Sequence, residues 1–131
     1  MQHRMGSHSL LLDEYLDEFE DLLSEIEQTF LDLEENSSQE HLWDCLMRNL
    51  HSFKGSAQLM GLDPIVSVAH AMETLVSQCR QQGENIDSAM TELYFHCVDV
   101  LRDLADELGV SGTCYHDVSP VLRKIDEIVL A

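Results

Sequence analysis

A chain of 131 residues has room for one domain with one sizeable core and is short for two. Apolar residues make up 44% of it, with two prolines and six glycines, so long segments run without a breaker and helices are favoured over a turn-rich β protein. Seven Lys and Arg stand against 25 Asp and Glu, a net charge of −18 with neutral histidines, which argues against nucleic-acid binding and against an anionic membrane surface.

The start, MQHRMGSHS, reads as a tag-like or disordered leader over 1–8, and 9–131 as a single domain, so His3 and His8 stand outside the functional argument. From Leu10 to about Glu35, Leu12, Tyr15, Leu16, Phe19, Leu22, Leu23, Ile26, Phe30 and Leu33 form one stripe at steps of three and four. That spacing predicts an amphipathic helix, with Ser9 as N-cap. Eleven acids between Asp13 and Glu35 occupy the other positions, as expected of a solvated helix face.

Asn36-Ser37-Ser38 breaks the pattern. A second helix is expected from Ser38 or Gln39 to about Met60, closed by Gly61. Asp63-Pro64 reads as N-cap and first position of a third, carrying Ile65, Val68, Ala69, Met72, Leu75, Val76 and Cys79 to near Gly83. Asp87 caps a fourth, with Leu93, Cys97, Val100, Leu101, Leu104 and Leu108, expected to close at Gly109. After a loop over 110–117, Ser119-Pro120 opens a short fifth helix through Val121, Leu122, Ile125 and Val129. The expected fold is all-α, an up-and-down four-helix bundle with an additional C-terminal fifth helix packed outside it or at one end.

Cys45, Cys79, Cys97 and Cys114 form no CxxC pair and are expected to be reduced thiols of a cytoplasmic protein. No signal peptide and no membrane insertion are expected, since no run approaches the roughly 18–20 apolar residues that span a bilayer.

The chemistry concentrates on the second helix. On a wheel of about 100° per residue, Leu42, Leu46, Leu50, Phe53, Ala57 and Met60 cluster on the side opposite His51, which therefore faces solvent. After Arg4, the next cations in the chain are Arg48 and Lys54, three residues either side of His51, where they are helical neighbours and can balance an incoming anionic group. Gly55 stands one turn after His51 at a cost of about 1 kcal/mol relative to alanine, and its missing side chain clears an approach to the ring. On the third helix, His70 and Glu73 are three residues apart. A carboxylate accepting from one ring nitrogen would fix the tautomer and raise the nucleophilicity of the other, although spacing alone leaves Glu73 equally readable as one more acid.

His51-Ser52-Phe53-Lys54-Gly55-Ser56-Ala57, followed by Gly61-Leu62, resembles the HxxKGs…G(L/F) signature of histidine phosphotransfer (HPt) domains. His70-Ala71-Met72-Glu73 is similar to the H-x-M-E segment in the N-terminal phosphotransfer domain of CheA-type chemotaxis histidine kinases. The resemblance runs from about Leu10 to Val129. It implies that His51 is phosphorylated at Nε2, that Glu73 accepts a hydrogen bond from Nδ1, that Lys54 assists near the phosphate, that His70 tunes the same network, and that Gly55 leaves room for the partner. Arg48, added from spacing, and Ser56, within the motif, complete the expected phosphate environment.

The expected role is that of a phosphorelay carrier in two-component signalling. No GxxxxGK loop or glycine-rich segment is present to hold a nucleotide, so no cofactor is expected on this domain, and ATP and Mg²⁺ belong to partner domains. The partners are then the ATP-binding domain of a histidine kinase and a receiver domain carrying an aspartate. The tag-like start favours a domain excised from a larger kinase over a free-standing protein. Two alternatives compete: a pseudo-HPt interaction scaffold that is never phosphorylated, and a metal- or haem-binding bundle using His41, Cys45, His96 and Cys97, for which four converging ligands are hard to assemble.

Overall fold

The computed structural model describes residues 7–83 and 86–129, with side chains from Leu10 onward. Five helices follow in chain order: α1 (Ser7–Glu35), α2 (Glu40–Leu59), α3 (Asp63–Gln81), α4 (Ser88–Ser111) and α5 (Ser119–Val129). No strand occurs among the described residues. α1 packs on α2 and α4, and α3 packs on α2 and α4, which closes a four-helix ring joined by short connections. α5 lies outside that ring against α3 and α4.

The apolar stripes meet in one core. Leu23, Ile26, Phe30 and Leu33 of α1 are fully buried, with Leu46 and Leu50 of α2, Ile65 and Met72 of α3, and Leu101 and Leu104 of α4. Each such side chain contributes about 1.5–3 kcal/mol relative to exposure. Phe30 stacks face to face on Tyr94 with ring centroids 3.9 Å apart, and Phe19 meets Phe53 at 4.8 Å. Trp43, which the wheel did not place on the core face, is buried and donates its indole N–H to the Ser37 carbonyl at 2.9 Å. Val121 and Ile125 fix α5 to the bundle.

The helix ends refine the sequence reading. α1 is already helical at Ser7, so Ser9 lies inside it and is not its N-cap. Residues 1–6 of the tag-like leader, His3 included, lie outside the described residues. α2 closes as expected: Gly61 takes φ +70°, with Leu62 N–H bonded to Ala57 O at 3.0 Å and Gly61 N–H to Gln58 O at 3.1 Å, a left-handed closure that glycine adopts without strain. α3 starts one residue earlier than expected, with Leu62 as the cap and Asp63 already helical. Asp87 caps α4 by accepting from the Met90 N–H at 2.9 Å.

Gly109 does not close α4. The helix runs on to Ser111 and ends at Gly112, with φ +80° and its N–H on Leu108 O. A single interior glycine costs only about 1 kcal/mol, so a helix passes through it when a second glycine supplies the left-handed turn beyond.

Two arginines tie neighbouring helices across the surface. Arg102 of α4 reaches Glu20 at 2.9 Å and Glu27 at 2.7 Å, both on α1. Arg80 of α3 reaches Glu40 at 2.7 Å and Asp44 at 2.8 Å, both on α2. Cys45, Cys97 and Cys114 are free thiols. No helix among the described residues is long and apolar enough to cross a membrane.

Candidate functional site

α2 places His51 in its lower half, on the face away from Leu46, Leu50 and Phe53, so the imidazole has no core to enter. Its side chain is 76% exposed. α3 runs alongside and presents Glu73, only 12% exposed, at the same level. His51 Nδ1 lies 3.4 Å from Glu73 Oε2, a close contact but longer than a formed N–H···O bond. With Nδ1 turned toward α3, Nε2 occupies the opposite, outer side of the ring.

Lys54 lies one turn after His51 and is mostly covered, at 17% exposed, with Nζ 2.7 Å from Glu73 Oε1. That contact is a close ion pair and not an aligned hydrogen bond, because the buried Oε1 has no donor in hydrogen-bonding geometry. One carboxylate thus faces a histidine with one oxygen and an ammonium with the other. A Cβ placed on Gly55 would meet nothing within 4 Å, so the glycine opens space beside the ring and is not required by helix packing.

The remaining predicted residues divide. His70 is exposed and lines a shallow groove of about 420 Å³ together with Met47, Lys54, Glu73 and Thr74, so it shares the site's wall one turn from Glu73. Arg48 is exposed on the His51 side of α2 and forms no ion pair among the described residues. Ser56 points elsewhere: it lines a groove between α1 and α2 with Tyr15, Phe19, Leu22 and Phe53, on the far side of α2 from Glu73. Its position, about 140° round the wheel from His51, reflects five residues of helical turn. Among the described residues no group of three or more His, Cys, Asp or Glu side chains converges as a metal site.

This is an exposed imidazole, with a mostly buried carboxylate beside it and no enclosed pocket above it. Such a site defines a carrier that partners must visit. Residues 10–110 match the family model described as the Hpt domain, and the chain belongs to that family. The "Chemotaxis protein CheA" of Halobacterium salinarum is 25% identical over 122 residues, covering 90% of this chain and 18% of that protein. The "Gliding motility regulatory protein" of Myxococcus xanthus is 29% identical over 118 residues, covering 90% of this chain and 15% of that protein. The chain therefore spans less than a fifth of the length of these relatives. The fold is shared with the phosphorylated P1 domain of CheA3 in complex with CheY6 from R. sphaeroides, at TM-score 0.80 and 22% identity, covering 93% of this chain and 97% of that one. The chain is a phosphorelay carrier of the histidine phosphotransfer type.

Proposed function

We propose that His51 is the phosphoacceptor, taking a phosphoryl group at Nε2 from the ATP-binding domain of a histidine kinase and passing it to the aspartate of a receiver domain. The observation that carries this is the pairing of His51 Nδ1 with Glu73 across the α2–α3 seam while the rest of the ring stays exposed. A proton held on Nδ1 leaves the lone pair on Nε2. That pair attacks the γ-phosphorus, a P–N bond forms, and the bond to the bridging oxygen breaks with ADP leaving.

The phosphorylated ring keeps its Nδ1 proton, and the Glu73 carboxylate offsets the positive charge it acquires. In the second step an aspartate oxygen attacks phosphorus, the P–N bond breaks, and neutral imidazole is regenerated. Lys54 moves between Glu73 and the phosphoryl oxygens, which lie within reach of its flexible four-carbon stem. His70 tunes the wall of the groove, Gly55 admits the visiting domain, and Arg48 adds a positive charge near the approach. Ser56 is given no role at the phosphate, because it faces the α1 groove. In this reading nucleotide and Mg²⁺ are supplied by the partners, and a cytoplasmic exchange fits that supply.

The test is labelling with a cognate kinase and γ-labelled ATP, comparing wild type with His51→Gln. Acid-labile, base-stable label that vanishes in the variant is expected; label of equal yield in the variant overturns the assignment.

A further inference from the structure

The motif on α2 holds one residue that the proposed function leaves unused. Ser56 lines a groove of about 520 Å³ along the α1–α2 seam, a size suited to a small molecule. The lining is sorted by chemistry. Phe19, Leu22 and Phe53 give an apolar floor, and the rings of Phe19 and Phe53 are buried 4.8 Å apart. Glu18, Asp21 and Glu25 line the α1 edge, and all three are exposed. Tyr15 also lines the groove, is 6% exposed, and its hydroxyl has no hydrogen-bond partner among the described residues.

The three carboxylates form a ladder. They stand at i, i+3 and i+7 of α1, within about 60° of one another on the wheel. Successive rungs rise about 4.5 Å and about 6 Å along the helix axis. Like charges so spaced destabilise a helix, and the described ion pairs engage cations elsewhere. Lys54 is paired with Glu73, Arg80 with Glu40 and Asp44, and Arg102 with Glu20 and Glu27. A second copy of this chain, at −18, would add to the repulsion. The groove calls for a slender, apolar-bodied occupant with cations at set intervals.

We propose that the α1–α2 groove binds a linear polyamine of the spermidine type. An extended chain advances about 1.2 Å per bond, so ammonium nitrogens separated by three methylenes lie about 4.8 Å apart, and by four about 6 Å apart. The three-carbon arm spans Glu18 to Asp21, and the four-carbon arm spans Asp21 to Glu25. Each nitrogen donates to a carboxylate in a charge-assisted hydrogen bond. The methylenes lie on Phe19, Leu22 and Phe53, as lysine stems lie on apolar surface. The end nitrogen at Glu18 gives the phenol oxygen of Tyr15 the donor it lacks, and the Ser56 hydroxyl accepts from the opposite wall. The occupant sits on the far side of α2 from Glu73 and leaves the His51 ring open. This binding does not depend on the proposed function.

The test titrates the ¹⁵N-labelled full chain with spermidine at physiological ionic strength and follows the backbone amides. Saturable shifts are expected at Phe19, Leu22, Phe53 and Ser56. Spermidine is expected to bind about tenfold more tightly than putrescine, which reaches only two rungs, and than Mg²⁺, which has no stem to lay on the floor. Glu18→Gln with Glu25→Gln is expected to weaken spermidine about tenfold, and Tyr15→Phe about threefold. Asp32→Asn with Glu35→Gln removes the same charge near the other end of α1 and is expected to change the affinity by less than about twofold. Shifts spread along the whole acidic face, or equal losses in the two double variants, would mean an adventitious ion only and overturn the inference. If a variant fails to fold in thermal melts, the wild-type ligand series decides: spermidine binding no tighter than putrescine and Mg²⁺ overturns it.

Discussion

Arg102 on α4 is gripped by two carboxylates of α1 at 2.7–2.9 Å, whereas His51 on α2 faces one carboxylate of α3 at 3.4 Å and leaves most of its ring in solvent. Both cross a helix seam, and both join nitrogen to carboxylate. In the first, every partner is engaged: the guanidinium is held above its ordinary pKa, first by its hydrogen bonds to Glu20 and Glu27, and the Glu20 carboxyl is held below its own, first by the bond from Arg102. In the second, one ring nitrogen faces a carboxylate and most of the ring is exposed, as the proposed role requires. A structural bridge closes its valences, and a relay point keeps one open.

Gly55→Leu tests the open side of that contrast with the largest effect. Leucine in place of a mid-helix glycine is expected to stabilise α2 by about 0.8 kcal/mol, because nothing within 4 Å of the new Cβ stands in its way. The same side chain is expected to obstruct partner docking and slow phosphoryl transfer by at least about tenfold, equivalent to about 1.4 kcal/mol. Thermal melting and single-turnover transfer check the two signs together. Loss of stability, or transfer at the wild-type rate, would make Gly55 a packing glycine.

Arg102→Ala tests the closed side with a smaller effect of opposite kind. About 0.5–1 kcal/mol of stability is expected to be lost, since Arg102 and Glu20 are partly solvated and screened, while phosphorylation of His51 is expected to stay unchanged. The pH dependence has a definite sign. Glu20's carboxyl is depressed in the folded state, so its contribution is fully present above the ordinary value of 4.5 and is lost as pH falls through the lower folded value. The stability gap between wild type and variant is therefore expected to shrink below about pH 4.5 in acid melts. A gap that widens on acidification would contradict this assignment.

The stripes at three- and four-residue steps made the five helices and most of the core legible, because burying a continuous apolar face is what those residues have to do. His51, Lys54 and Gly55 were legible as a local constellation on one helix, and all three stand where that spacing put them. What spacing could not carry is the height of one helix against another. The reach of Glu73 to both His51 and Lys54 and the Arg80 and Arg102 bridges all depend on inter-helix packing. The motif groups Ser56 with the phosphate environment, yet five residues of helical turn carry it round to α1. In sequence Gly109 reads as a stop, because a lone glycine and a closing glycine look alike until the φ +80° at Gly112 separates them.

The most direct test is the point of phosphoryl attachment in the wild-type protein, read by phosphorus–nitrogen NMR on uniformly ¹⁵N-labelled material. The account predicts phosphorus bonded to Nε2 of His51, with the proton retained on Nδ1 facing Glu73. Phosphorus on Nδ1, or on any of the other histidines, would contradict it.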